Sequence, residues 1–314
     1  MRHLLTLLFA ALLLAPASAQ DWPSKPIRIV VPFAPGGAAD IWARLIAEPL
    51  SAALKQSVVI ENRGGSGGMI ASQQVARAEP DGYTILVGGL APQIISPSLS
   101  ANPGFDTMKD FVHIAYIGGP PIVWVADPKN DLRSVKDVIA AAKADKLSGY
   151  ATSGVGTLGH LVVEYVASRE GLKLNHIPYN TAAFADIIAG RVPVGSFTWG
   201  AALGQVKGGT LRAIAVTTET RRPEAPEVPT FKELGYDLVA STWFSFAAPK
   251  GTPDAVVRRL NAGTLRIMKL PEFQKRRDQD AFDPKEFTPE QLTAYFETEI
   301  KRWQPVAQAV GMKK

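Results

Sequence analysis

The chain contains no cysteine, which excludes disulfide staples, thiolate nucleophiles and cysteine-ligated zinc. Histidine is scarce: beyond His3 only His113, His160 and His176 occur, none lies after position 176, and no second ligand stands at metal-site spacing. Neither a metal nor a cofactor is therefore expected. The charges are scattered without a Lys/Arg block, so the basic track that a nucleic-acid backbone requires is missing and no nucleic-acid partner is expected. Past the first 19 residues no apolar run reaches the roughly 18 residues of a spanning helix.

What is present is a globular composition, 46% hydrophobic and 20% charged over 314 residues, preceded by an export signal. Residues Met1 to Ala19 combine a basic start at Arg2, an apolar run from Leu4 to Leu14, and Pro16-Ala17-Ser18-Ala19 before Gln20. That pattern predicts a signal peptide cleaved after Ala19, with no nearby cysteine to carry a lipid anchor. Loss of Arg2 lowers the formal charge from +5 to +4 and leaves 295 residues, more than one core comfortably serves, so two domains are expected.

Strand-like and helix-like segments alternate. Ile27 to Phe33 is β-branched and extended, ends in Ala34-Pro35-Gly36-Gly37, and leads into a helical pattern from Ala38 to about Ala53. Val58 to Ile60, a loop over 62–68, a helix over 69–78, and Tyr83 to Val87 follow. This alternation predicts an α/β fold with a parallel sheet. The order repeats from Tyr150, where Thr152-Ser153-Gly154-Val155-Gly156-Thr157 feeds an amphipathic helix over 158–170. Strands are expected near 112–117, 122–126, 174–178, 192–197, 211–217 and 243–248, with helices over 134–144, 254–268 and 289–306. No linker separates the halves. A chain that crosses twice resolves this, with domain 1 over 20–123 and 240–314, domain 2 over 124–239, and a cleft between them.

The two glycine turns are the candidate ligand site. The N–H groups of Gly37, Ala38 and Ala39 lie where a strand yields to a helix N-terminus, an arrangement suited to a carboxylate, and the competing reading is a plain tight turn in which Asp40 favours the first helical turn. Thr152, Ser153, Gly156 and Thr157 offer hydroxyls and amides in the equivalent place. His160, one turn into the next helix, is a cleft candidate or a packing residue. Tyr179 ends a strand, while Thr198, Trp199, Trp243 and Phe244 could wall the ligand's body, and Gly89 and Leu90 open a loop of undetermined orientation. Neither turn is a nucleotide fingerprint. Gly64-Gly65-Ser66-Gly67-Gly68 satisfies G-x-S-x-G and makes an extracytoplasmic serine hydrolase using Ser66 the catalytic rival. The absence of a late histidine, and the three residues between Ile60 and Gly64, weigh against it.

These segments together resemble the receptors of tripartite tricarboxylate transporters, the Bug or TctC-like family. The resemblance spans residues 22–312 and is carried by Trp22 to Arg28, Pro32 to Gly37 with Asp40, Val59 to Gly68, Asp81-Gly82-Tyr83-Thr84, Thr152 to Thr157 with His160, and Pro178-Tyr179. It implies a periplasmic-binding-protein fold of type II: a two-domain venus flytrap with two crossovers, acting as a monomer in the periplasm. Phe33, Ala34, Gly36 and the 152–157 loop would then close over a small carboxylate, often through waters, and deliver it to membrane permease subunits. A ligand sensor without transport and an adhesive exported domain compete with that role. Asn180-Thr181 stands where relatives carry Lys-Gly, and Pro193 and Phe197 stand near positions where they carry acids. An aromatic or weakly charged carboxylate is thus expected in preference to citrate.

Overall fold

The computed structural model describes residues 22–179 and 183–311; the signal-peptide reading and Asn180-Thr181 lie outside them. Two five-stranded sheets form the frame. In the first lobe, β1 (Ile27–Val31) pairs in parallel with β2 (Val58–Asn62), in register from Ile27 opposite Val58 to Val31 opposite Asn62, and with β3 (Thr84–Gly89). β4 (Phe111–Gly118) completes the chain's first pass, and β5 (Ile122–Ala126) already belongs to the second sheet. There β6 (Tyr150–Thr152) pairs in parallel with β7 (His176–Pro178) and β8 (Val194–Thr198), and β5 lies antiparallel between β8 and β9 (Arg212–Val216). β10 (Phe244–Pro249) then returns to the first sheet, antiparallel between β3 and β4.

The sheets are therefore mixed, not parallel as the alternation suggested. The reason is the crossing itself. Their orders, β2-β1-β3-β10-β4 and β7-β6-β8-β5-β9, are equivalent position by position, and the antiparallel strand in each is the one that enters directly from the other lobe. Such a strand arrives without the crossover helix that parallel neighbours need.

Helices clad both sheets: α1 (Ala38–Leu54), α2 (Met69–Ala76), α3 (Val135–Lys143), α4 (Leu158–Glu170), α5 (Phe184–Ile188), α6 (Trp199–Lys207), α7 (Asp254–Ile267), α8 (Pro271–Asp280) and α9 (Pro289–Gly311). The first core packs Trp42 of α1 against Phe282 at 3.7 Å between ring centroids, beneath Ile29, Val31 and Phe246. Val123, Val125, Phe197 and Trp199 centre a second. A further core joins the lobes, because Phe296 and Trp303 of α9 share it with Tyr116 and Trp243 on one side and Trp124 and Leu161 on the other. Expected helices at 134–144, 158–170, 254–268 and 289–306 are all present. α6 and α8 were not anticipated: α6 carries two glycines in nine residues, and α8 buries only Phe273 and Asp280, so neither shows an apolar stripe.

Candidate functional site

Four loops follow the carboxyl ends of the parallel strands β1, β3, β6 and β8, and they meet in one cleft of about 420 Å³. Ligands of α/β folds collect at this end of the strands, where helices begin and their first N–H groups lack partners. α1 starts at Gly37 and α6 at Thr198, neither with a side-chain cap. α4 starts at Thr157, whose hydroxyl accepts from the His160 amide at 3.4 Å and donates to the Gly154 carbonyl at 2.9 Å. The amides of Ala38, Ala39, Leu158, Gly159, Gly200 and Ala201 thus belong to three helix starts lining one space. Three positive dipole ends suit an anion.

Of the residues singled out from sequence, Phe33, Ala34, Gly36, Gly37, Ala38, Ser153, Thr157, Thr198 and Phe244 line this cleft. Several others stand immediately behind it. Asp40 is buried and fully engaged, accepting from the Gly36 amide at 2.9 Å, Arg44 Nε at 3.0 Å and Asn62 Nδ2 at 2.9 Å. Burial raises its carboxyl, but the bonds from Arg44, Gly36 and Asn62 and the charge of Arg44 hold it below the ordinary carboxylate value. It shapes the 33–37 turn from beneath. Thr152 is buried, with its hydroxyl 2.7 Å from His176 Nε2 and its loop neighbour Gly154 turned onto it. His160 Nδ1 accepts from the Gly156 amide at 3.4 Å, and the His160 ring stacks on His176 at 4.1 Å. The stack supports the second turn as Asp40 supports the first.

The rest face elsewhere. Gly89 pairs with Phe244 in the sheet at φ +123°, and a methyl group there would stand 2.3 Å from the Trp243 carbonyl. Leu90 is core, and its neighbour Ala91 reaches the cleft instead. The Tyr179 hydroxyl donates to Asp186 Oδ2 at 2.5 Å. Trp199 points into the second-lobe core, and Trp243 donates its indole N–H to Glu299 at 2.9 Å on the far side of the crossovers. Ser66 is exposed on a 3-10 turn at φ 49°, not on a strand-to-helix elbow. His113 is fully buried; burial and then the charge of Lys250 push it down to about 3.

Sequence reading missed Gly159, Ser196, Gly200, Arg276 and Asp280, all of which line the cleft. Gly159 had a local signal, since it follows Thr157 by two residues at a helix start. Arg276 and Asp280 had none, because α8 lies over 70 residues beyond β8 in the chain. Among the described residues no group of three or more His, Cys, Asp or Glu could hold a metal, and no helix is long and apolar enough to cross a membrane.

Residues 42–312 match the model of the tripartite tricarboxylate transporter family receptor. BugT of Bordetella pertussis is 35% identical over 95% of this chain and 93% of its own. The structure of the periplasmic binding protein BugD is 32% identical with a TM-score of 0.83, covering 92% of this chain and 99% of that one. An R. palustris protein solved with adipate is 31% identical with a TM-score of 0.85, covering 93% and 99%. The chain belongs to the tripartite tricarboxylate transporter receptors, a family of periplasmic solute-binding proteins that are not enzymes.

Proposed function

We propose that the protein captures one small carboxylate in the cleft between its lobes and presents the closed complex to the permease subunits of a tripartite transporter. The observation that carries this reading is the convergence of three helix N-termini, two of them without side-chain caps, on a cleft whose cationic lining is Arg276 alone among the described residues. The contact set we assign is Phe33, Ala34, Gly36, Gly37, Ala38, Ser153, Thr157 and Thr198, with Asp40, Thr152, Gly156 and His160 holding the turns in place. We set the lobe boundaries between β4 and β5, just ahead of the expected 123/124 that falls inside β5, and at 239/240, and closure is a population shift about those crossovers. The mature chain starts after Ala19, in the periplasm.

The same lining argues for an aromatic or weakly charged acid over citrate. Three carboxylates need more donors than amides and one arginine provide, and each unpaired charge costs desolvation energy. Phe33 and Phe244 supply apolar surface for a ring. Titration calorimetry with citrate and with benzoate or nicotinate tests this: an aromatic acid is expected to bind, and citrate to bind at least about tenfold more weakly, which is about 1.4 kcal/mol. Micromolar citrate binding with no aromatic acid bound would contradict it.

A further inference from the structure

Arg276 and Asp280 occupy the last turn of α8, and both line the cleft. Arg276 donates its Nε–H to Asp280 Oδ2 at 2.7 Å. An acid as the final residue of a helix opposes the helix dipole, so its position has another origin. Asp280 is buried, and its other oxygen lies over the start of α6: a methyl group at Gly200 would stand 2.8 Å from Oδ1. Glycine there makes room for the carboxylate. The terminal guanidinium N–H groups have no partner among the described residues.

Building on the carboxylate reading above, we propose that the ligand's carboxylate sits at the starts of α1 and α4, while the Arg276–Asp280 pair over the start of α6 reads the ligand's other end and selects a monocarboxylate bearing a neutral carboxamide or hydroxyl there over a dicarboxylate. The pair has no net charge and presents a donor next to an acceptor. A carboxamide matches both, its carbonyl accepting from Arg276 and its N–H₂ donating to Asp280. A second carboxylate meets the like charge of Asp280 about as closely as the opposite charge of Arg276, and it has no proton to give. Polar groups of this kind discriminate strongly, because a mismatched ligand leaves them unpaired.

The test is calorimetry on the full mature chain with adipate, its half-amide adipamate, and hexanoate, three acids of equal carbon number that differ at one end. In the wild type adipamate binds about tenfold or more tightly than either of the others. Asp280→Asn removes the advantage over adipate, and Arg276→Gln weakens adipamate about tenfold. Adipate binding as tightly as adipamate to the wild type overturns the proposal, as does an Asp280→Asn protein, folded by circular dichroism, that keeps the wild-type ratio. Should a variant not fold, the order of the three acids on the wild type decides. Failure of all three to bind while benzoate or nicotinate binds overturns this proposal and leaves the carboxylate reading standing, whereas failure of those aromatic acids as well contradicts the carboxylate reading itself.

Discussion

Asp40 shows how a charge can serve an anion site without touching the anion. Its carboxylate collects a backbone amide, an arginine and an asparagine, so the negative charge is neutralised locally while the 33–37 turn is held against α1. Asp40→Asn breaks the ion pair between a buried carboxylate and the exposed Arg44 and is expected to lose about 1–3 kcal/mol of stability, measured by urea unfolding at pH 7. Because the folded carboxyl sits below its unfolded value, that contribution is present above about pH 4 and fades as pH falls through the folded value, so the gap between wild type and variant narrows on acidification below pH 4. His113 acts in a higher window. Its folded value of about 3 lies below the ordinary 6.5, so the unfolded chain binds the extra proton and stability falls as pH drops below 6.5. Between pH 7 and 5 this costs about 2 kcal/mol, and His113→Gln should flatten the unfolding free energy over that interval. The turns were legible because β-branched runs and glycines are local signals. The engagement of Asp40 was half legible: its need for a donor followed from its charge, but Asn62, on another strand, did not.

At the scale of elements, the site is a set of helix starts held against strand ends. Among the helix starts at the cleft, the tightest fit is between α4 and β8, where a methyl group at Gly159 would stand 2.5 Å from the Ser196 carbonyl. Gly159→Ala must push the first turn of α4 off the sheet. Overpacking of this kind costs about 1–3 kcal/mol, and the displaced Leu158 and residue-159 amides should weaken ligand binding as well. Thermal unfolding and calorimetry on the same sample check both effects; full affinity in a destabilised variant would separate the packing from the site. Elements with a clear period or a marked start were readable, including α4 from the glycine turn that feeds it and α9 from its length. α6 and α8 were not, since one is rich in glycine and the other almost entirely polar, and they bring the third helix start and the Arg276–Asp280 pair. The parts of the cleft hidden from sequence are thus the parts delivered by weakly patterned helices.

At the scale of the molecule, the two crossovers explain both the mixed sheets and the cleft. Each lobe lends its neighbour the strand that follows a crossing, and the equivalent strand orders place four loops face to face. Two features tie the lobes together beyond the crossovers. α9 packs on β4 of the first lobe and on α4 of the second. Ser96, which donates to the Gly67 carbonyl at 3.0 Å, also lies against Gly156, where a methyl group would stand 2.8 Å from its hydroxyl. The Gly64 to Gly68 loop, the hydrolase decoy in the sequence, is therefore part of the contact between the lobes. The central claim is that this cleft recognises a carboxylate through helix N-termini. Thermal unfolding against matched pairs of small acids and their methyl esters tests it most directly, because a ligand that binds only the folded state raises the midpoint in proportion to the logarithm of its concentration. At least one acid should raise the midpoint while its ester does not. No shift from any acid, or an ester that stabilises as well as its acid, would contradict the claim.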